Sequence, residues 1–265
     1  RTYVGKHSWQ RLRRKKSIGA AAREVAVSFA TSRIVPPGSV ARAVETRPKM
    51  LKALDLCCCA GGASMGLHQA GFLVVGVDIK PQPRYPFGFH QADALTFPLE
   101  GYDFIWASPP CQRFCALNTR EDLSGYPDLI EPIRARLTAN GVPFVIENVP
   151  GAPVRHDLML CGAMFGLRSY RHRFFECSFP VKQPEHPKHA VRVNRRGENR
   201  RAHWANGGFI TITGDVGTYC GPEAMGIDWM TGAEMSEAIP PAYAKYIGRA
   251  AAAHEHLSAF RQAAE

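Results

Sequence analysis

The 265-residue chain predicts a doubly wound α/β domain built on a mostly parallel sheet. Two observations lead there. From Leu51 onward, apolar runs of strand length alternate with segments of helix length, the pattern of stacked βαβ units. Several of those runs also end in residues that carry chemistry, and open α/β sheets bind ligands at the carboxyl ends of their strands. With 45% hydrophobic and 21% charged residues, the composition is ordinary for a globular protein.

The elements follow in order. Residues 51–57 read as the first strand and residues 63–70 as a short helix closed by Gly71. Residues 73–79 form a second strand that ends in an acidic residue, and residues 87–91 and 103–108 the next two. Residues 127–140 have helical content and close on Asn140-Gly141, a C-cap signal. Residues 143–149 follow as a strand, and residues 174–179 and 209–213 as shorter ones. Gly207-Gly208 and Gly214-Asp215 read as hinges of a hairpin around the last of these, and residues 241–260 as a long alanine-rich helix.

Charge divides the chain. Residues 1–50 carry 12 Lys/Arg against 2 Asp/Glu, whereas residues 51–265 carry 21 of each. The formal charge of +10 therefore belongs to an N-terminal extension, a candidate for disorder, and not to the body. A second basic zone, residues 181–201, holds 7 Lys/Arg against 2 Glu. Two basic zones suit a polyanionic partner. The expected division is a basic extension (1–50), a core (51–179), a short region with basic character (180–222) and a C-terminal segment returning to the core (223–265).

No apolar run approaches the roughly 18 residues of a membrane span, and the arginine-rich start does not lead into a secretory signal. Eight cysteines, three of them consecutive, suit a reducing compartment better than a disulfide framework. The expectation is a cytoplasmic monomer. Cys57, Cys58 and Cys59 are read as small packing residues: neighbours on a strand point to opposite faces, and no Cys-x-x-Cys pair or nearby histidine completes a zinc site. No metal is expected.

The first turn, Asp55-Leu56-Cys57-Cys58-Cys59-Ala60-Gly61-Gly62, lets a ligand approach backbone and helix N–H groups. Asp78, followed by Ile79, is placed for ribose hydroxyls, and Asp93, followed by Ala94, for an adenine amino group. Together they imply an adenosine-bearing cofactor, either S-adenosylmethionine or a nicotinamide dinucleotide.

At the other strand ends stand Ser108-Pro109-Pro110-Cys111-Gln112 and Glu147-Asn148-Val149-Pro150. Parallel strands would bring this thiol and carboxylate to one rim, a pairing suited to covalent attack on an electron-poor ring. With these two blocks in order, and Tyr170-Arg171-His172-Arg173 beyond them, the sequence resembles the C5-cytosine DNA methyltransferase family from about residue 51 to residue 249.

The resemblance implies a Rossmann-like methyltransferase fold, S-adenosyl-L-methionine as methyl donor and double-stranded DNA as partner, in a bacterial or phage setting, with residues 51–179 as the catalytic and cofactor-binding core and residues 180–222 as a short reading region for the target sequence. It implies Cys111 as the nucleophile at C6 of a flipped-out cytosine, and Glu147 as the partner of N3, its pKa raised by burial. Arg173 would contact the base and its phosphate, with Arg171 a second contact on the same strand face. Asp55, Cys57 to Cys59, Ala60, Gly61, Gly62, Asp78, Ile79, Asp93, Ala94 and Pro110 would line the cofactor. Gln112 and the arginines at 192, 195, 196, 200 and 201 would meet DNA.

Three positions depart from the family pattern. Cys57 stands where phenylalanine is usual, Cys59 where glycine is, and Ser169 where glutamine opens the arginine strand. Ser236-Glu237-Ala238-Ile239-Pro240 replaces a Gly-Asn-Ala/Ser-Val-Pro segment. Two other readings stay open: a nicotinamide-dependent oxidoreductase, and a catalytically silent DNA-binding relative.

Overall fold

The computed structural model describes residues 50–115, 123, 125–195, 197–213 and 219–262, without the side chains of residues 255–262. The N-terminal extension lies outside the described residues. Seven strands form one sheet: β1 (Lys52–Leu56), β2 (Leu73–Asp78), β3 (Gly88–Gln91), β4 (Phe104–Ala107), β5 (Phe144–Asn148), β6 (Leu158–Leu160) and β7 (Arg173–Cys177). Their order is β3-β2-β1-β4-β5-β7-β6. β7 runs antiparallel to both neighbours, and the other named pairings are parallel.

The apolar runs explain why the sheet is central. Successive side chains on a strand face opposite ways, so a strand apolar throughout needs cover on both sides. Phe104 and Trp106 pack on one face with Ala53, Phe175, Tyr243 and Ile247. Ile105 and Ala107 pack on the other with Leu54, Ile146, Ile133 and Leu137. The first cover comes from α1 (Gly62–Gln69) and α6 (Pro241–Gln262), the second from α2 (Ile130–Asn140). Gly141 ends α2 in the left-handed region (φ 77°), as its Asn-Gly signal predicts.

α1 lies close against the start of α6, because a Cβ on Gly66 would sit 2.2 Å from the carbonyl oxygen of Pro241. Three further helices, α3 (Arg200–Ala205), α4 (Gly221–Met225) and α5 (Gly232–Glu237), belong to the region after the sheet. Among the described residues no helix is long and apolar enough to cross a membrane.

Some expectations fail. Residues 209–213 form no strand; Phe209 alone bridges to Val193. The segment does alternate, burying Ile210 and Ile212 against Met225, Met230 and Met235. Alternation records which side packs, not whether another strand lies alongside. Gly207, expected at a hairpin, instead ends α3, and Gly208 packs under the His203 ring. Gly214-Asp215 lies outside the described residues.

Candidate active site

β1, β4 and β5 lie side by side in the sheet, and the candidate residues stand on their carboxyl ends and in the loops that follow. Past β1 the cysteine triplet has left the strand: Cys57 (φ 57°) and Cys59 (φ 45°) take left-handed backbone. The opposite-faces argument from strand geometry therefore does not apply to them. Non-glycine residues hold that conformation at a cost of about 1 kcal/mol or more each. A cavity opens at this point, lined by Asp55, Cys57, Cys58, Cys59, Gly62 and Ala63 and, across from them, by Pro110, Cys111, Gln112, Glu147 and Arg173.

Asp55 is fully buried. Its Oδ2 accepts from the Ser64 hydroxyl, while Oδ1 has no partner. Desolvation pushes its carboxyl up to about 7. A buried, unsatisfied acceptor in a cavity wall suits a cationic ligand group.

Two loops are tied together opposite. Asn148 Nδ2 donates to the carbonyl of Pro109 at 3.0 Å, coupling the Cys111 loop to the end of β5. Arg173 Nε lies 2.9 Å from Glu147 Oε1. Burial raises the Glu147 carboxyl above its ordinary value, and the Arg173 charge opposes that rise. Burial and then the Glu147 charge raise the Cys111 thiol, again against Arg173.

A second cavity shares Cys111, Gln112, Arg173 and Glu237 with the first, and opens toward Arg171 and residues 210–213. Arg171 departs from expectation. It precedes β7 with φ 27°, so it shares no strand face with Arg173. Its terminal nitrogens donate to the carbonyls of Ile212 (2.9 Å) and Ser236 (2.7 Å). That use pins the region after the sheet to the C-terminal segment.

Several expected cofactor residues do not line the first cavity. A Cβ on Gly61 would meet the Tyr85 ring at 3.1 Å, and one on Gly76 would meet it at 2.3 Å, so Tyr85 fills the space beside both. Asp78 accepts from the backbone N–H groups of Cys59 (3.0 Å) and Lys80 (2.9 Å), and Ile79 beyond it is exposed. Asp93 is exposed, and its carboxylate accepts the Leu95 N–H at 2.8 Å. Ala94 packs in the core against α2, and Ala60 packs under Ile210 and Met225.

Of the expected DNA contacts, Gln112 lines both cavities. Arg192 pairs with Glu198 through two nitrogens, at 2.8 and 2.6 Å, which neutralises it in this structure. Arg195 is exposed, Arg200 is half-buried on α3, and Arg201 lies over the Tyr219 ring at 5.0 Å. Arg196 lies outside the described residues.

Sequence reasoning missed four features. Ala238 and Ile239 join the first cavity, where the Ile239 carbonyl would clash with any Cβ on Gly62. Tyr85 went unnoticed, although an aromatic near glycines at 61 and 76 is a usable signal. So did Arg168, whose guanidinium stacks on Trp204 at 3.5 Å and donates to Gly208. The expectation of no metal weighed only the cysteine triplet and passed over a second group of metal-ligating side chains. Cys161, His172, His186 and His189 bring their ligand atoms within 4.8 Å of one another.

No protein-family model and no curated protein matches the chain. Solved structures do. An E. coli prophage protein described as a candidate DNA modification methyltransferase aligns at 16% identity, over 75% of this chain and 97% of that one, with a TM-score of 0.50. The S. pombe Dnmt2 methyltransferase aligns at 12% identity, over 76% and 98%, with a TM-score of 0.48. With its seven-stranded sheet and antiparallel β7, the chain has the α/β fold of S-adenosylmethionine-dependent methyltransferases.

Proposed function

We propose that the protein is a DNA (cytosine-5)-methyltransferase using S-adenosyl-L-methionine. The observation that carries the reading is the convergence of Cys111, Glu147 and Arg173 on one cavity that is also lined by Asp55, whose Oδ1 has no partner.

Asp55 fits the cationic amino-acid end of the methyl donor, and the loop from Cys57 to Gly62 would lie along it. Asp78 and exposed Ile79 are the residues that would hold the adenosine end. When bound, the donor supplies an electrophilic methyl group.

The chain's own groups do the rest. Cys111, as thiolate, adds to C6 of a flipped-out cytosine and pushes electron density to C5. Glu147, its carboxyl raised by burial, would hydrogen-bond N3 and stabilise the charge that develops there. C5 then takes the methyl group, loses its proton to a base, and expels the Cys111 thiolate. Arg173 holds Glu147 through Nε, donates from Nη1 to the His172 carbonyl, and would offer Nη2 to the base. Burial raises the Cys111 thiol above its ordinary value, so the resting group is the thiol, and the proposed attack requires its proton to pass to a base as the thiolate forms.

A nicotinamide-dependent reading is weaker, because the usual dinucleotide sheet runs 3-2-1-4-5-6 without a strand inserted antiparallel before the last. The intact Cys111, Glu147 and Arg173 speak against a silent DNA-binding relative. Duplex DNA containing 5-fluorocytosine tests the chemistry, because fluorine at C5 cannot leave as a proton. With the methyl donor present, a covalent protein–DNA adduct is expected, and Cys111→Ser should abolish it. Absence of an adduct across DNA of diverse sequence would overturn the reading.

A further inference from the structure

We infer that Cys161, His172, His186 and His189 form a structural zinc site that fastens the loop after β7 to the segment leading into it. Nothing in the proposed reaction uses these residues.

The distances have the dimensions of a tetrahedron. His186 Nε2 lies 3.2 Å from His172 Nε2 and 3.2 Å from His189 Nε2, and Cys161 Sγ lies 3.5 Å from His189 Nε2. Tetrahedral zinc bonds nitrogen at about 2.0–2.1 Å and sulfur at about 2.3 Å. The edges of such a tetrahedron are about 3.3 Å between two nitrogens and about 3.6 Å between nitrogen and sulfur. Three of the six separations among these four atoms therefore match those one shared ion imposes, and all six lie within 4.8 Å, a distance that small side-chain rotations close.

Hydrogen bonding alone explains the cluster poorly. An Nε2 carries either one proton or one lone pair. His186 Nε2 faces two other ring nitrogens and can serve only one of them. An ion serves all four ligands at once, and one thiolate with three imidazoles is a donor set that selects zinc.

The surroundings orient the ligands as metal sites require. The sulfur of Cys161 accepts the backbone N–H of Met164 in the 3-10 turn Gly162–Phe165. The His189 ring stacks on Tyr170 with centroids 3.6 Å apart. Four protein ligands leave no open position, which marks the site as structural.

Placement gives the site its purpose. His186 and His189 belong to a stretch, residues 180–190, without helix or strand. His172 stands between Arg171 and Arg173, and with His189 it lines the second cavity. A bound ion would fix the start of the reading region against the arginine that holds Glu147.

Metal content tests this independently of methyl transfer. The full chain, purified without chelator, should contain about one zinc per molecule. Replacement by cobalt(II) should give the visible spectrum of a tetrahedral site with a thiolate charge-transfer band. His186→Ala/His189→Ala changes two exposed side chains, so it should fold, and it should lose at least nine-tenths of the metal. Cys161→Ser should remove the charge-transfer band. Chelation should lower the melting temperature of the wild-type protein by several degrees and leave the double variant unchanged. A wild-type chain that takes up neither zinc nor cobalt, or a double variant that keeps its full metal content, would overturn the inference.

Discussion

Arg173 Nε donates to Glu147 Oε1 across 2.9 Å, with both side chains almost sealed from solvent. Burial favours the neutral acid and Arg173 favours the carboxylate, with burial the stronger. The pair thus presents an acid already aimed by its neighbour. Glu147→Gln keeps an N–H to offer N3 but holds no transferable proton. We expect single-turnover methyl transfer to fall on the order of 10²–10³-fold, with DNA affinity within a few-fold of wild type. A loss of less than about threefold would remove Glu147 from the mechanism.

Asp55 gives a pH signature. Its folded pKa of about 7 lies above the ordinary 3.8. A group raised in this way contributes stability below about pH 4 that is lost as pH climbs through 7. Asp55→Asn removes that loss. Its advantage in unfolding free energy over the wild type should grow by on the order of 2–3 kcal/mol between about pH 5 and pH 8. The same variant should bind S-adenosylmethionine at least tenfold more weakly, measured by calorimetry. A stability difference that does not move with pH would show that Asp55 ionises freely in the fold.

Glu176 behaves oppositely. Burial pushes its carboxyl up, but bonds from Arg134 and the backbone of Arg155 outweigh burial and hold it below 4.5. Its contribution is present above the unfolded value and lost as pH falls through the folded one. Glu176→Gln removes the buried ionic partner that Arg134 and Arg155 share and leaves Arg134 only the exposed Glu131, at a cost on the order of 1–3 kcal/mol near neutral pH. Urea denaturation should show the two proteins converging in acid. A constant gap from neutral to acid pH would contradict the ion-pair account.

The sheet was legible because buried strands write themselves as unbroken apolar runs, as Phe104-Ile105-Trp106-Ala107 does. The residues proposed to react stood out because they end such runs. The segment from 180 to 222 was harder. Arg192 looked like a phosphate contact, yet Glu198, six residues on, takes its guanidinium, and no local pattern announces that pairing. β6 has only three residues, too few for a period to show. Cys161 and His189 are 28 residues apart along a path with no repeating geometry, so their meeting exists only in the folded chain. The bond from Arg171 to Ser236 spans 65 residues and is hidden for the same reason.

Four residues, Cys111, Gln112, Arg173 and Glu237, face both cavities at once. A substitution at any of them alters the walls of two cavities in a single step. On the proposed assignment, affinity for methyl donor and affinity for target base cannot drift independently at these positions. Divergence in what the protein reads is then confined to walls that belong to one chamber only, such as residues 210–213. The partition separates the part of the molecule free to explore new targets from the part held fixed by serving two ligands.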